Sequence, residues 1–228
     1  MVRIGDFIWI LAFLAASSIL MLPDRFEPLY ELGLGSRYQT GFVTFALMGA
    51  LGEAAKSRLR GSLYPRPGRL AALALIWGLH GMVLALAYWV VNGGVIMTQA
   101  AGILPGGGLN LSPNRLKGLL TSYFLTQPFF TSLFVNLGVI HPLLAAQRLA
   151  EAWLNLRRDE GGLPGLTRAV EQVNWAAFVR AELISLPLFR ILLWTFVFLM
   201  PRSLWLPLSA GLAAALTGLS GLYYRSKK

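Results

Sequence analysis

The chain contains no cysteine, only two histidines (His80 and His141) and little charge: 13% of its 228 residues are Asp, Glu, Lys or Arg. Without thiols there is no disulfide, thiolate nucleophile, iron–sulfur ligand or zinc ribbon. Two imidazoles leave metal catalysis without a ligand set. The one dense glycine run, Pro105-Gly106-Gly107-Gly108, is not followed by the Lys-Ser or Lys-Thr of a phosphate loop, and neither G-x-S-x-G nor H-E-x-x-H occurs. No enzyme mechanism, metal or cofactor is therefore expected.

What the chain has in abundance is apolar surface, with 56% of residues hydrophobic. A soluble domain carries about 25% charged residues and does not keep so apolar a surface in water. The composition reads as an all-α integral membrane bundle. A span takes about 20 apolar residues, so the length allows about six spans (four to six) in one polytopic domain over residues 1–228. The candidate spans are residues 7–22, 38–55, 70–97, 118–146, 175–200 and 205–224. Arg3 ahead of the first run and Ala15-Ala16-Ser17 within it resemble a signal peptide, but Asp6 and the lack of a clean cleavage site favour an uncleaved helix.

Twenty basic residues against ten acidic ones would point to nucleic acid in a soluble protein. Here their distribution gives another explanation. With six spans and both termini inside, thirteen basic residues fall in cytoplasmic segments and five outside, while Arg180 and Arg190 lie in the fifth span. The expected partner is a bilayer with anionic headgroups, not nucleic acid. Thr98 to Asn114 reads as an irregular external loop. Leu143 to Arg158 has a helical pattern that continues the fourth span along the headgroups, and Gly161-Gly162-Leu163-Pro164-Gly165 is expected to end it.

In the last span Ala210, Gly211, Ala214, Gly218 and Gly221 fall within an arc of about 100°, opposite Leu212, Leu216 and Leu219. Small residues permit close helix approach. Packing against a neighbouring span is expected there, with a homo-oligomer interface as the alternative. Gly41, Ala46, Gly49 and Gly52 repeat the habit on the side of the second span that carries Glu53. In the fourth span Thr121, Ser122, Thr126, Ser132 and Asn136 project onto an arc of about 140°, with Pro128 expected to kink the helix. That arc is either a solute-lined wall or a set of hydroxyls bonded to their own helix.

Charges inside spans need partners. Glu53 has Lys56 three residues on, Glu182 and Arg190 are too far apart along one helix to meet, and Arg190 is expected to reach Glu53 from another span. His80 reads as a packing residue, with a proton relay as the sharper alternative. Trp9, Trp89, Trp175, Trp205, Tyr223 and Tyr224 read as interfacial anchors.

Leu47-Met48-Gly49-Ala50-Leu51-Gly52-Glu53, Trp77-Gly78-Leu79-His80-Gly81 with Tyr88-Trp89, the trio Lys117, Pro128 and Phe134, and Leu186-Pro187 with Pro201 and a basic tail together resemble the Mpv-seventeen family of small multi-pass membrane proteins. The likeness covers roughly residues 40–228. It departs from the family pattern at Glu53 (Asp expected), Thr121-Ser122 (Asp-Gln expected), and Arg190 and Leu193 (Gln and Asn expected). The resemblance implies a non-enzymatic membrane protein of four core helices, suggested to form a pore. Bacterial inner-membrane location is expected, since no organelle transit signature is visible. The leading functional expectation is a pore-like or transporter-like protein for small solutes. The alternative is a structural or assembly factor that acts by helix packing and recruits partners through its basic loops.

Overall fold

A computed structural model describes residues 4–21, 37–104, 116–156, 162–179, 187–200 and 202–225. Among these residues all regular structure is helical. The helices are α1 (Ile4–Met21), α2 (Arg37–Leu59), α3 (Pro67–Ala100), α4 (Leu116–Val135), α5 (His141–Asn155), α6 (Gly162–Gln172), α7 (Trp175–Val179), α8 (Pro187–Leu199) and α9 (Trp205–Arg225). A π-helical turn, Asn136–Ile140, joins α4 to α5, and a 3₁₀ turn, Arg202–Leu204, precedes α9.

The sequence sets the ends of these helices. Pro67 opens α3 at a position whose N–H would have no helical acceptor. At its other end Gly102 takes φ +73°, and the bonds Gly102 N–H to Gln99 O (3.0 Å) and Ile103 N–H to Thr98 O (2.9 Å) close a Schellman cap. Gly61, at φ +83°, ends α2 in the same way, with Ser62 N–H donating to Ser57 O. The π turn also has a covalent cause. Pro142 has no N–H for the Gly138 carbonyl and its ring would press on that carbonyl in a regular α-helix. His141 N–H instead reaches back five residues to Asn136 O.

By length and composition two of the described helical stretches suffice to cross a membrane: Pro67–Ala100 and the continuous run Thr126–Asn155. The second confirms that the fourth apolar run continues helically beyond residue 146. The expected six spans are thus only partly matched. Helix α8 has 13 residues, about 20 Å of helix against a hydrocarbon core of about 30 Å. Helix α2 has the length but carries Arg37, Glu53, Lys56 and Arg58. The expected single span over 175–200 is described in two parts, α7 and α8. The Gly161–Gly165 stretch does not simply terminate a helix: α5 stops at Asn155, and Leu163-Pro164-Gly165 lie in the first turn of α6, where Pro is tolerated.

Contacts divide the chain into two compact units, Met1–Ala85 with Ser203–Lys228, and Leu86–Arg202. In the first unit α9 lies along α2, and α1 packs on both. In the second, α4 and the π turn pack on α8, and α5 packs on α6. Helix α3 contributes its first half to one unit and its second half to the other.

Candidate functional site: a buried polar seam

The first unit is built by close approach. A Cβ on Gly41 would collide with the backbone carbonyl of Gly81, and one on Gly49 with the indole of Trp77. Gly52 faces Ala214, whose backbone Cα and O would lie 2.9 Å from an added Cβ, and Gly218 faces Ala55 Cβ at 3.3 Å. Gly52 and Gly218 thus lie where α2 meets α9, and Gly41 and Gly49 where α2 meets α3; Ala214 is 2% exposed. Gly211 differs, meeting only the flexible end of Met48 at 3.8 Å.

Glu53 and Lys56 are both buried in this unit, with Lys56 Nζ 3.0 Å from Glu53 Oε2 and 3.3 Å from Oε1. This is the local pair the spacing offered. Arg190, expected to reach Glu53, is buried in the second unit. His80 is also buried, edge-on to Trp77 at 5.9 Å between ring centroids. Two expected interfacial anchors take part in packing instead. Trp9 donates to the Leu51 carbonyl at 2.7 Å, and Trp205 is buried. Trp89 stays exposed with Arg202 over its ring, and Trp175 donates to Val170 O. The side chains of Tyr223 and Tyr224 lie outside the described residues.

The second unit is joined by polar groups. From α3, Asn92 presents Oδ1 to two donors on α4, Gln127 Nε2 at 2.7 Å and Thr131 Oγ1 at 3.3 Å. Two turns further on, Gln99 Nε2 donates to Thr126 Oγ1 at 3.1 Å. One turn beyond Pro128, Ser132 Oγ donates to the Ile191 carbonyl of α8 at 2.6 Å, and Thr195 Oγ1 donates to the same oxygen at 2.7 Å. Asn136 Nδ2 donates to Ser132 O at 2.9 Å and lies 3.4 Å from Ser132 Oγ. Trp194 Nε1 donates to Tyr88 OH at 2.9 Å. Asn92, Gln99, Thr131, Ser132, Asn136 and Arg190 are all buried. Amide and hydroxyl groups inside an apolar bundle thus bond across helices as well as to their own backbone.

Of the expected polar wall, Thr126, Ser132 and Asn136 belong to this seam. The side chains of Thr121 and Ser122, and all of Glu182, lie outside the described residues. Sequence reasoning missed Asn92, Gln99, Gln127 and Thr131. The signal was present: Tyr88, Asn92, Val95 and Gln99 are spaced 4, 3 and 4 apart, the seam of a packed helix, and all four are buried. Among the described residues no group of three His, Asp or Glu is placed to hold a metal ion.

No protein family, curated protein or solved structure matches the chain.

Proposed function

We propose that this is a multi-pass membrane protein that gives small polar solutes a path through the bilayer, with the α3–α4–α8 seam as part of that path. The observation that carries the reading is the placement of the seam. Five amide or hydroxyl side chains, Asn92, Gln99, Thr131, Ser132 and Asn136, are buried in and beside the two stretches apolar enough to cross a membrane. Polar groups are expensive to bury in an apolar bundle, and where they converge they can line a solute path. Exposed apolar side chains on the same helices support the membrane setting. Leu75, Leu79, Val90 and Met97 on α3 and Leu192 and Phe196 on α8 are at least half exposed, as lipid-facing residues would be.

In this reading six helical segments enter a bacterial inner membrane, both termini are cytoplasmic, and basic loops face anionic headgroups. Exposed Trp153 and Leu154 on α5 then lie in the headgroup region. The reading agrees with what the Mpv-seventeen resemblance implies. Reconstitution of the purified chain into liposomes, followed by solute-leak and single-channel recording, tests it: leak above protein-free vesicles is expected, and none would remove the proposal.

A second reading, a structural or assembly protein acting by helix packing, is favoured by the glycine contacts of the first unit. Thiol accessibility separates the two. The chain has no cysteine, so Ser132→Cys or Asn136→Cys introduces a single thiol. A path lets a membrane-impermeant, water-soluble thiol reagent reach it, whereas a packing seam stays dry.

A further inference from the structure

The connection between α2 and α3 carries charge of one sign. From Lys56 to Arg69 five residues are basic, Lys56, Arg58, Arg60, Arg66 and Arg69, and none is acidic. Glu53, the acid that precedes them, is bonded to Lys56, and no Asp or Glu follows until Glu151. The four arginines therefore have no acid of their own segment. Gly61, with φ +83°, turns the chain out of α2, and Pro67 starts α3, so the arginines are gathered at one end of the two helices. Arg58 lies over the ring of Tyr64, its guanidinium carbon 5.4 Å from the ring centroid. Arg66 and Arg69, three residues apart at the start of α3, are both exposed.

Two features decide what such a connection meets. The first is depth. Beyond Arg69, α3 has no Lys, Arg, Asp or Glu from Leu70 to Ala100, and Pro67–Ala100 is one of the two stretches long and apolar enough to cross a membrane. Its 34 residues measure about 50 Å, slightly more than the hydrocarbon and headgroup layers together. In a bilayer its charged end is then level with the lipid phosphates. The second feature is Leu63, 71% exposed in the middle of the basic run. A nucleic-acid backbone offers phosphates to the arginines but no apolar layer to an exposed leucine. A lipid surface offers both. Each guanidinium presents a planar fork of N–H donors that matches two phosphate oxygens. A zwitterionic headgroup sets its own ammonium against that attraction, and an acidic headgroup does not.

We propose that the α2–α3 connection is a binding site for acidic phospholipid: Arg66 and Arg69 hold the headgroup phosphate, Arg58 and Arg60 add to the attraction, and Leu63 enters the acyl layer. This rests on the membrane setting of the proposed function, not on permeation, and it singles out one basic segment where that reading treats the basic loops alike.

The test uses the purified full chain in detergent, with bound lipid counted by native mass spectrometry at matched concentrations of phosphatidylglycerol and phosphatidylcholine. Phosphatidylglycerol is expected to be held about thirtyfold more tightly, the worth of two arginines at an anionic surface. Arg66→Gln/Arg69→Gln is expected to abolish most of that preference, and each single variant to lower it about fivefold. Both side chains are exposed, so these variants are expected to fold, and their unfolding temperatures in detergent check it. Lys227→Gln/Lys228→Gln, which removes the same charge from the basic tail, is expected to change the preference by less than about twofold. Equal losses in the two double variants would overturn the site, because net charge alone would then explain the preference. Displacement of phosphatidylglycerol by millimolar inorganic phosphate would overturn lipid as the occupant. An oligonucleotide bound more tightly than phosphatidylglycerol, and released by Arg66→Gln/Arg69→Gln, would overturn it in favour of nucleic acid. Equal retention of both lipids by the parent chain would overturn this inference and leave the membrane setting standing. Retention of neither would remove the membrane setting as well.

Discussion

The two units hold their apolar helices together by opposite means. In the first, glycines bring backbones so close that a single methyl group has no room. In the second, hydrogen bonds span α3, α4 and α8 while the glycines of α3 in that unit, Gly93 and Gly94, face open space. Close packing is unforgiving of added volume. A hydrogen-bonded seam is looser and its bonds can be traded for bonds to a passing molecule. The contrast teaches that close backbone packing and side-chain hydrogen bonding can be assigned to different parts of one small chain.

The largest effect expected is at the buried Glu53–Lys56 pair of the first unit. Both groups are buried, so Glu53→Gln leaves an ammonium without its carboxylate and should destabilise by about 3 to 5 kcal/mol. Replacing both residues by Met should cost far less. Denaturation in detergent measures each, and a single variant no worse than the double would show that the pair is solvated. A cycle combining Glu53→Gln with Arg190→Gln asks whether Glu53 also serves the second unit. Additive losses would show that Glu53 and Arg190 are not coupled.

Next in size is Gly81→Ala. The added methyl would collide with the Gly41 carbonyl and stand 2.7 Å from Phe45 Cβ, so the backbone itself has to move. A loss of about 3 kcal/mol is expected, at the upper end for overpacking. Gly218→Ala, with Ala55 Cβ at 3.3 Å, should cost much less, and Gly218→Leu should again be severe. Equal melting temperatures for Gly81→Ala and Gly218→Ala would mean that the α2–α3 contact is not the tighter one.

These two regions were unequally legible. The close-packed unit leaves a pattern in the sequence because a glycine has few reasons to recur on one helix face, although that pattern does not say that Gly49 meets Trp77 while Gly52 meets Ala214. The Glu53–Lys56 pair was legible from its i, i+3 spacing. The polar seam was only half visible. Ser132 and Asn136 stood out within the fourth apolar run, but Asn92 and Gln99 are isolated in a long apolar helix, where neither composition nor local spacing says which neighbour they meet. A hydrogen bond between residues 35 positions apart, as for Gln127 and Asn92, depends on tertiary placement. The break between α4 and α5 was hidden for another reason. Pro128 drew attention as the kink, whereas Pro142 fits the change of register at the π turn.

A moderate effect is expected for Asn92→Leu. Two donors, Gln127 and Thr131, lose their shared acceptor, and interhelical hydrogen bonds in membranes are worth about 1 kcal/mol each or less. Destabilisation of about 1 to 2 kcal/mol is therefore predicted, well below that of Gly81→Ala although both residues lie on α3. Thermal unfolding in one detergent puts the two variants on a common scale. The reverse ranking would break the contrast between a rigid unit and an adaptable one.

The smallest effect distinguishes the two halves of α3 most sharply. Gly93 and Gly94 follow Asn92 directly, and nothing lies within 4 Å of where a Cβ would sit on either. Packing therefore gives no reason for them, unlike Gly78 and Gly81 in the same helix, whose added Cβ would meet Phe42 and Gly41. In a helix interior glycine is less favourable than alanine by up to about 1 kcal/mol in water. Gly93→Ala and Gly94→Ala should thus be neutral or stabilising by a few tenths of a kcal/mol to about 1 kcal/mol. A glycine pair is also a common place for a helix to bend. If the pair lets α3 flex beside the seam, Gly93→Ala/Gly94→Ala should raise the melting temperature and slow solute flux in liposomes. A rise in stability with flux unchanged would show that the second half of α3 opens the seam without bending. A loss of stability would mean that the open space beside these glycines is filled in the membrane, and that this face, too, packs by close approach.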